Sequence, residues 1–353
     1  MTFQRLCKFG LPLMMIFCFS CRSAPIAAPP DAGGVNEEVF PVTFAEIPPA
    51  GTDLPVSIFN EIWTYVINGS ENALKSNLPI SDVVYFGAEV DRYGHLAEVP
   101  KRSKLANFTG KVHMSVACFS AGLIHFIIEP GSKARSTLIQ QIIKAARDYD
   151  GLNIDFENVP AQDGENFLSF LSEVSVKLGR EKIFSVCVPA RTRSVGAYNY
   201  SKIASISNRV FVMAYDEHWS TSAPGPVASM KWCRNVAAYA LQSIGSEKLV
   251  MGIPFYGRAW GNTSTSRALV NATTERIKKE HGVQNVQRVN GIPTFTYDVL
   301  VKVTVFYEDE YSIATRVDMY RKQGVTSIGF WRLGQEAMAV WSALNLERHV
   351  AVK

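Results

Sequence analysis

Short apolar runs and longer amphipathic stretches alternate along most of this chain. The runs are five to nine residues long and rich in Val, Ile, Phe and Tyr, which is typical of buried β-strands. The longer stretches repeat apolar residues every three or four positions, as in helices that bury one face. The predicted strands cover residues 61–67, 82–90, 111–119, 151–156, 182–189, 209–215, 248–254 and 327–331. The clearest predicted helices cover residues 132–149, 164–178, 230–244 and 312–323.

Eight strands that alternate with helices predict an α/β fold of the (β/α)8 type, a TIM barrel, within residues 54–347. An open, doubly wound parallel sheet shows the same alternation and is the alternative. Because no glycine-rich phosphate loop follows any predicted strand, the pattern favours the barrel. The first two or three helices are only weakly marked in the sequence.

One connection is longer than a barrel needs. Residues 257–306 separate the seventh strand from the last helix, with a helix predicted over 273–281 and strands over 294–297 and 301–306. This predicts a small α+β insertion on the side of the barrel where catalysis takes place, and such an insertion would deepen a groove. A decorative subdomain without a role in binding is the alternative.

Residues 1–21 have the pattern of an export signal. Basic residues precede an apolar run at 9–19, which is too short for an ordinary membrane span. Cys21 follows a small residue and resembles the lipidated cysteine of bacterial lipoproteins, whereas plain cleavage near Ala24 or Ala28 is the alternative. Either route predicts an exported protein of the cell envelope, periplasm or cell surface, with membrane attachment if Cys21 carries lipid.

Residues 22–53 are rich in Pro, Ala and Gly and predict a flexible tether before the folded body at 54–347. The net charge of +4 and the lack of a long basic run give no case for a nucleic-acid partner. Three cysteines of the body lie far apart in sequence, so they predict core residues rather than a disulfide framework or a metal site. No metal or other cofactor is expected, and the chain is predicted to be a monomer.

The chemistry is concentrated in residues 150–157. Asn153, Asp155 and Glu157 alternate with three apolar residues, so a strand would place them on one face. Two buried neighbouring carboxylates are costly unless they are hydrogen-bonded, paired or protonated, and folds keep such pairs mainly where chemistry needs them. Like-charge repulsion from Asp155 is expected to raise the pKa of Glu157. The alternative is a surface strand whose polar face lies in water, but the flanking helix and loop favour a catalytic site.

Further candidates fall at the same edge of the predicted barrel, where the carboxyl ends of the strands carry the active site. Tyr215 and Asp216 end strand six, Tyr256 follows strand seven, and Trp331 ends strand eight. Cleavage of a glycosidic bond needs a carboxylic acid that protonates the leaving oxygen, and an aromatic face packs well against a pyranose ring. The set therefore predicts sugar chemistry.

Four segments together resemble glycoside hydrolase family 18, the chitinase-like (β/α)8 barrels. Residues 150–157, DGLNIDFE, resemble the family signature D-G-x-D-x-D-x-E, and residues 213–216, MAYD, resemble its M-x-Y-D. Residues 252–258 and 331–336 resemble its strand-seven and strand-eight segments. The four segments occur in the family's order within residues 55–345, so the resemblance covers nearly the whole body.

Two further segments are similar to a subgroup of that family. Residues 215–219, YDEHW, and 225–229, GPVAS, resemble bacterial spore-cortex-lytic and peptidoglycan-acting N-acetylglucosaminidases. Asn153 stands where many chitinases carry Asp, which removes one acidic partner of Asp155.

The resemblance implies retaining, substrate-assisted hydrolysis of β-1,4 bonds next to N-acetylglucosamine in peptidoglycan or a chitin-like polymer. Glu157 would act first as acid and then as base, Asp155 would orient the substrate's 2-acetamido group, and Tyr215 would donate to its carbonyl. That carbonyl oxygen, rather than a protein carboxylate, would attack C1. The implied substrate-binding residues are Asp216, Trp331, Met213, Asn153, Tyr256 and Trp219.

Two alternatives lack catalysis. A lectin-like surface lipoprotein on the same barrel is the first, since family members that lose the acid become carbohydrate-binding proteins. An adhesin or scaffold is the second, because the leader and tether fit it equally well. The presence of Glu157 together with Asp155 and Tyr215 favours an enzyme. The choice between peptidoglycan and chitin, and between endo and exo cleavage, stays open at this point.

Overall fold

Eight parallel strands form a closed barrel in the computed structural model, which describes residues 53–261, 266–299 and 301–347. Each strand pairs with its predecessor along the chain, and the last strand pairs with the first, which closes the sheet. The (β/α)8 prediction is confirmed. The strands are β1 Glu61–Ile67, β2 Asp82–Val90, β3 Lys111–Cys118, β4 Gly151–Phe156, β5 Ile183–Pro189, β6 Arg209–Met213, β7 Leu249–Pro254 and β8 Ser327–Trp331.

Seven α-helices accompany the strands in the described part of the chain. They are α1 Ala121–Ile128, α2 Lys133–Ala145, α3 Gly164–Leu178, α4 Tyr200–Ile206, α5 Met230–Ile244, α6 Asn271–Glu280 and α7 Glu310–Lys322. The only helical elements in the connections after β1 and β2 are the 3-10 turns Glu71–Ala73 and Arg102–Leu105, which explains their weak helical signal. The 3-10 segment Met338–Ala343 follows β8, and the turns Ala146–Asp148 and Ala161–Asp163 precede β4 and α3.

Alternation along the strands divides the apolar residues into two layers. The outward residues of β4, such as Ile154 and Phe156, pack against helix residues including Phe167 and Phe170. The inward residues form a separate interior cluster, which consists of Trp63, Tyr65, Val84, Cys187, Phe211 and Val250. The barrel is therefore filled by side chains, and its opening lies above this interior cluster.

The long connection after β7 folds into a small α+β unit, as predicted. Its five-stranded sheet is antiparallel and is accompanied by α6. The strands of this insertion are Tyr256–Trp260, Ser266–Val270, Gln287–Val289, Ile292–Asp298 and Lys302–Phe306. A small apolar core that includes Leu269, Phe295 and Val305 stabilises it.

Shorter strands complete the fold. Ser57–Phe59 pairs in parallel with Leu344–Leu346, and Leu96–Ala97 pairs antiparallel with the end of β2.

The predicted leader, Cys21 and nearly all of the predicted tether lie outside the described residues. Within the described ranges, none of the helices combines the length and the apolar character that a membrane crossing requires.

A buried ion pair joins the exit of the insertion to the barrel. Both guanidinium Nη atoms of Arg316 donate to Glu308, at 3.1 and 2.8 Å, and Nη2 also donates to the carbonyl of Ala228 at 2.7 Å. Arg316 is fully buried, and Glu308 is 3% exposed. The guanidinium therefore holds the segment before α5 against α7.

We expect Arg316→Met to lower the free energy of unfolding by about 3–5 kcal/mol, because it leaves a buried carboxylate without its cation. Urea unfolding followed by circular dichroism measures this. Arg276→Met is the matched control, since Arg276 pairs with Glu280 on the surface at 2.8 Å and contributes about 0.5 kcal/mol or less. Equal losses of unfolding free energy in the two variants would show that the buried pair stabilises the fold no more than the surface pair does.

Candidate active site

Asp155 and Glu157 lie at the carboxyl end of β4 and point into the barrel. Asp155 pairs in register with Ala117 of β3, and the backbone N–H of Glu157 donates to the Cys118 carbonyl at 2.9 Å. Asp155 is 3% exposed, and Asn153 below it is fully buried. The alternative of a solvated surface strand is therefore wrong, since the polar face of β4 lines the barrel.

Asn153 occupies the layer beneath the carboxylates and is held there by protein groups. Its Oδ1 accepts from the Tyr65 hydroxyl at 3.1 Å and the Ser115 hydroxyl at 3.3 Å, and its Nδ2 donates to Ser185 Oγ at 2.9 Å. The thiol of Cys187 lies 3.0 Å from the Tyr65 hydroxyl. The structure thus gives Asn153 a place in the support of the site, while contact with substrate stays a prediction.

The two carboxyl groups share a poorly solvated space. Burial raises the pKa of Glu157 most, and the negative charges of Asp155 and then Asp216 raise it further. Burial also raises the pKa of Asp155, which the neighbouring Cys187 thiol partly opposes. Asp155 Oδ1 is buried and accepts no hydrogen bond from the described protein atoms. Burial and the two negative charges therefore favour the protonated form of Glu157, which is the form that a general acid requires.

Tyr215 and Met213 reach the same opening from β6. The strand ends at Met213, two residues earlier than predicted, because the chain turns there and the Tyr215 N–H donates to the Met213 carbonyl at 2.9 Å. Both side chains are partly buried and pack on the interior cluster. Burial, followed by the charges on Cys187 and Asp155, raises the pKa of the Tyr215 phenol, which keeps it a donor.

Asp216 is fixed by two residues of the insertion's first strand. Its Oδ1 accepts from the Tyr256 hydroxyl at 2.6 Å and from Arg258 Nη2 at 3.0 Å. Asp216 has a φ of 58°, a left-handed conformation that Asp adopts more readily than most residues. Tyr256 is 6% exposed, so its position is that of a support for Asp216. A direct contact between Tyr256 and substrate stays a prediction.

Sequence reasoning missed Arg258. Arg258 ends the strand-seven segment that resembles the family, and it stands two positions after Tyr256, so it shares that side of the strand. This alternation is the sequence signal that points to it. The contact with Asp216 itself depends on how the insertion returns over the barrel, which no local pattern reveals.

Trp331 ends β8 and lies against the top of the interior cluster. Its ring makes edge contacts with Tyr65 and Phe86, with centroid separations of 5.1 and 5.3 Å. The side chain is partly exposed, and the Trp331–Arg332 peptide bond is cis. An indole in this position can form the floor of the opening.

Trp219 lies in the loop between β6 and α5 and is partly exposed. Its indole Nε1 donates to Thr221 Oγ1 at 3.0 Å. The same loop contacts the insertion, since the Ser222 carbonyl accepts from Trp260 Nε1 at 3.1 Å. Trp219 is thus held on a loop that contacts the insertion.

Glu89 is a second residue that sequence reasoning missed. It precedes the last residue of β2 and pairs with Ala117, the residue that also pairs with Asp155. Its neighbour Ala88 packs outward, so alternation turns Glu89 toward the opening. Burial and the nearby charge of Glu98 raise its pKa. Across the described ranges, no three His, Cys, Asp or Glu side chains come together in a metal-binding group.

Comparisons with known proteins agree with this architecture. The profile of Glycosyl hydrolases family 18 matches residues 62–336. The chain is 32% identical over 227 residues to the uncharacterized glycosylase YvbX of Bacillus subtilis (strain 168), a match over 60% of this chain and 66% of that protein. It is 29% identical over 230 residues to the putative sporulation-specific glycosylase YdhD of the same organism, over 61% of this chain and 54% of YdhD.

A solved structure gives the same fold. The crystal structure of the Bacillus cereus spore cortex-lytic enzyme SleL superposes with a TM-score of 0.73 at 22% identity, over 85% of this chain and 76% of SleL. The matched region spans between about half and two thirds of YdhD and YvbX. The profile match covers all eight barrel strands except Glu61, the first residue of β1, and it includes the end of β4, the end of β6 and the insertion. The chain therefore belongs to glycosyl hydrolases family 18.

Proposed function

We propose that the chain hydrolyses β-1,4 glycosidic bonds next to N-acetylglucosamine, with Glu157 as the proton donor. The observation that carries this proposal is the buried pair of Asp155 and Glu157 at the mouth of the barrel. Glu157 is more accessible than Asp155 and has a raised pKa, which suits a group that protonates a leaving oxygen and later activates water.

The geometry favours a nucleophile supplied by the substrate. Asp155 lies two residues deeper in the barrel than Glu157 and is almost fully buried, so it is poorly placed to attack C1. An acetamido group of the substrate can instead close on C1 and form an oxazolinium, which water opens with retention of configuration. Asp155 would accept the acetamido N–H, and Tyr215 would donate to the acetamido oxygen.

Five further residues would hold the sugar. Trp331 offers an aromatic floor for the ring next to the cleaved bond. Asp216, kept in place by Tyr256 and Arg258, would accept hydrogen bonds from sugar hydroxyls. Met213, Asn153 and Trp219 complete the proposed binding set, with Asn153 acting from the layer below.

The substrate class is a polymer that contains N-acetylglucosamine, either peptidoglycan or chitin-like. The names of YvbX and YdhD, both glycosylases, support a glycan substrate. The basic and apolar pattern of residues 1–21 supports export to the cell envelope, with Cys21 as the proposed site of lipid attachment. A monomer is sufficient for the proposed site, since all of its residues come from one chain.

Digestion of purified peptidoglycan and of chitin, with mass spectrometry of the new reducing ends, tests this function. We expect new ends on N-acetylglucosamine and a first-formed product of retained configuration, which nuclear magnetic resonance of the anomeric proton reports. Products of inverted configuration would contradict the substrate-assisted route. A lack of cleavage of both polymers, together with tight binding, would favour the lectin-like alternative.

The pH dependence of kcat/KM should have its basic limb set by Glu157. This carboxyl must be protonated to act as an acid, so activity is lost as the pH rises through its pKa. Because burial and the charges of Asp155 and Asp216 raise that pKa, we expect activity to persist well above the ordinary titration range of Glu. Initial rates on a chromogenic chito-oligosaccharide measure the profile. A basic limb at the ordinary Glu pKa would contradict the proposed proton donor.

A further inference from the structure

Two aromatic side chains stand out in solvent near the mouth of the barrel. Tyr93 is 63% exposed and Phe126 is 55% exposed, whereas the other aromatic side chains of the described residues are buried or only partly exposed. Neither belongs to the set that surrounds the carboxylate pair. Exposed apolar patches mark ligand-binding sites more often than single exposed side chains do, so the position of these two rings relative to the site matters.

Strand register places Tyr93 above the rim next to the site. Glu89 of β2 is level with Ala117, which is level with Asp155. The turn 91–95 continues β2 beyond that level, so Tyr93 projects past the carboxyl ends of the strands. Because β2 and β4 are two strand spacings apart, this turn lies about 10 Å to the side of Asp155.

The turn is rigid, which is what a binding surface needs. Asp91 Oδ1 accepts from the backbone N–H groups of Tyr93 at 2.8 Å and His95 at 2.9 Å. The guanidinium of Arg92 lies over the Tyr93 ring, 4.8 Å from its centroid, and donates to its hydroxyl at 2.7 Å. These contacts leave the Tyr93 ring little freedom to lose on binding.

Phe126 belongs to the same rim. The chain leaves β3 at its carboxyl end and must return to the amino end of β4. Helix α2, with 13 residues and a length of about 20 Å, is long enough to make this return alone. The preceding α1 therefore stays at the rim. A Cβ atom added to Gly94 would be 3.9 Å from Phe126 Cε1, so Phe126 lies beside the turn that carries Tyr93.

We infer that Tyr93 and Phe126 form a rim platform that binds a sugar ring of the glycan outside the cleavage site. The platform is continuous with the opening, since Glu89 lies between it and Asp155 and offers an acceptor for sugar hydroxyls. This inference rests on the proposed function, because the ring belongs to the chain that Glu157 cleaves.

The size of the rim platform favours a sugar over a protein partner. Two aromatic side chains bury roughly 300–500 Å² at most, whereas a stable protein interface needs about 1,200 Å² or more. Aromatic faces flanked by a few polar groups are the usual composition of a small-ligand site. The occupant is therefore a neutral pyranose of the GlcNAc type.

The test compares long and short substrates. We expect Tyr93→Ala and Phe126→Ala each to lower kcat/KM on a long soluble glycan by about three- to tenfold, because each removes one stacking contact. On a chromogenic substrate too short to reach the rim, both variants should match the wild type. Val176→Ala is the matched control, since Val176 is 78% exposed on α3. It should leave both rates unchanged.

Binding in a Glu157→Gln background keeps this inference separate from the proposed function. Calorimetry of a long oligosaccharide should show the same three- to tenfold weakening on removal of either ring. If the chain with an intact Glu157 also cleaved no glycan, the proposed function would be overturned, whereas this weakening would still support the rim platform. Unchanged affinity, or equal losses on the short substrate, would overturn the platform. A shift in sedimentation of Tyr93→Ala would mean that the face joins two copies of the chain.

Discussion

Glu157→Gln is expected to lower kcat on a chito-oligosaccharide by about 10²–10⁴-fold. The amide keeps the size of the side chain but has no acidic proton for the leaving oxygen, and general acid catalysis contributes this order of magnitude. Binding should change little, because Glu157 acts mainly on the transition state. Steady-state rates with a chromogenic substrate, together with calorimetric affinity for an uncleaved oligosaccharide, measure the two effects separately.

The same variant should keep its fold. Glu157 is partly buried beside two other carboxylates, which disfavour its ionised form, so a neutral amide removes the cost of keeping an ionisable group uncharged there. We expect an unfolding free energy equal to or above that of the wild type. Glu165→Gln is the matched control: Glu165 is an exposed residue of α3, paired with Lys202 at the surface. Equal rates for Glu157→Gln and the wild type would end the catalytic assignment.

The parts of the fold that the sequence predicted are those set by local patterns. β1, β2, β4 and β8 have the predicted ends, because each is an apolar run bounded by polar or turn residues. Polar alternation in β4 also identified the face that lines the barrel. α3 and α5 begin and end as predicted, where Gly179 and Gly245, with φ of 82° and 86°, stop the helices.

The missed elements lacked a local signal. The sequence of α1, AGLIHFII, is apolar on nearly all sides, so no helical periodicity marks it. α4 has only seven residues. The sequence predicts the end of β6 two residues too late, because the apolar run continues through Ala214 while the backbone already turns toward Tyr215.

Local sequence patterns also do not predict the hydrogen bonds that hold the site residues in place. Asn153 obtains its partners from β1, β3 and β5, and Asp216 is held from the insertion. These contacts follow from barrel register and from the return of a long connection, which are non-local. The family resemblance implies roles for Glu157 and Tyr215, whereas the residues that support the site come together only through the fold.

Asp155→Asn is the second large effect that we expect, with kcat lowered by about 10²–10³-fold and KM nearly unchanged. The carboxylate would accept the acetamido N–H as that group moves onto C1, so its contact strengthens in the transition state. The variant also removes one of the charges that raise the pKa of Glu157, and the basic limb of the pH profile should move to lower pH. The pKa of Glu157 should nevertheless stay well above its ordinary value in this variant, since burial is the larger cause of its rise. Rates measured across pH give both quantities.

The two roles of Asp155 can be separated within one data set. At a pH below the basic limb of both proteins, Glu157 is protonated in each, so the ratio of the plateau rates reports orientation of the acetamido group alone. An inhibitor that mimics the cyclised oxazolinium should bind Asp155→Asn less tightly, while an uncleaved oligosaccharide keeps its affinity, because only the former resembles the transition state. If the plateau rate were unchanged and only the limb moved, Asp155 would act through the pKa of Glu157, and the substrate-assisted route would lose its orienting group.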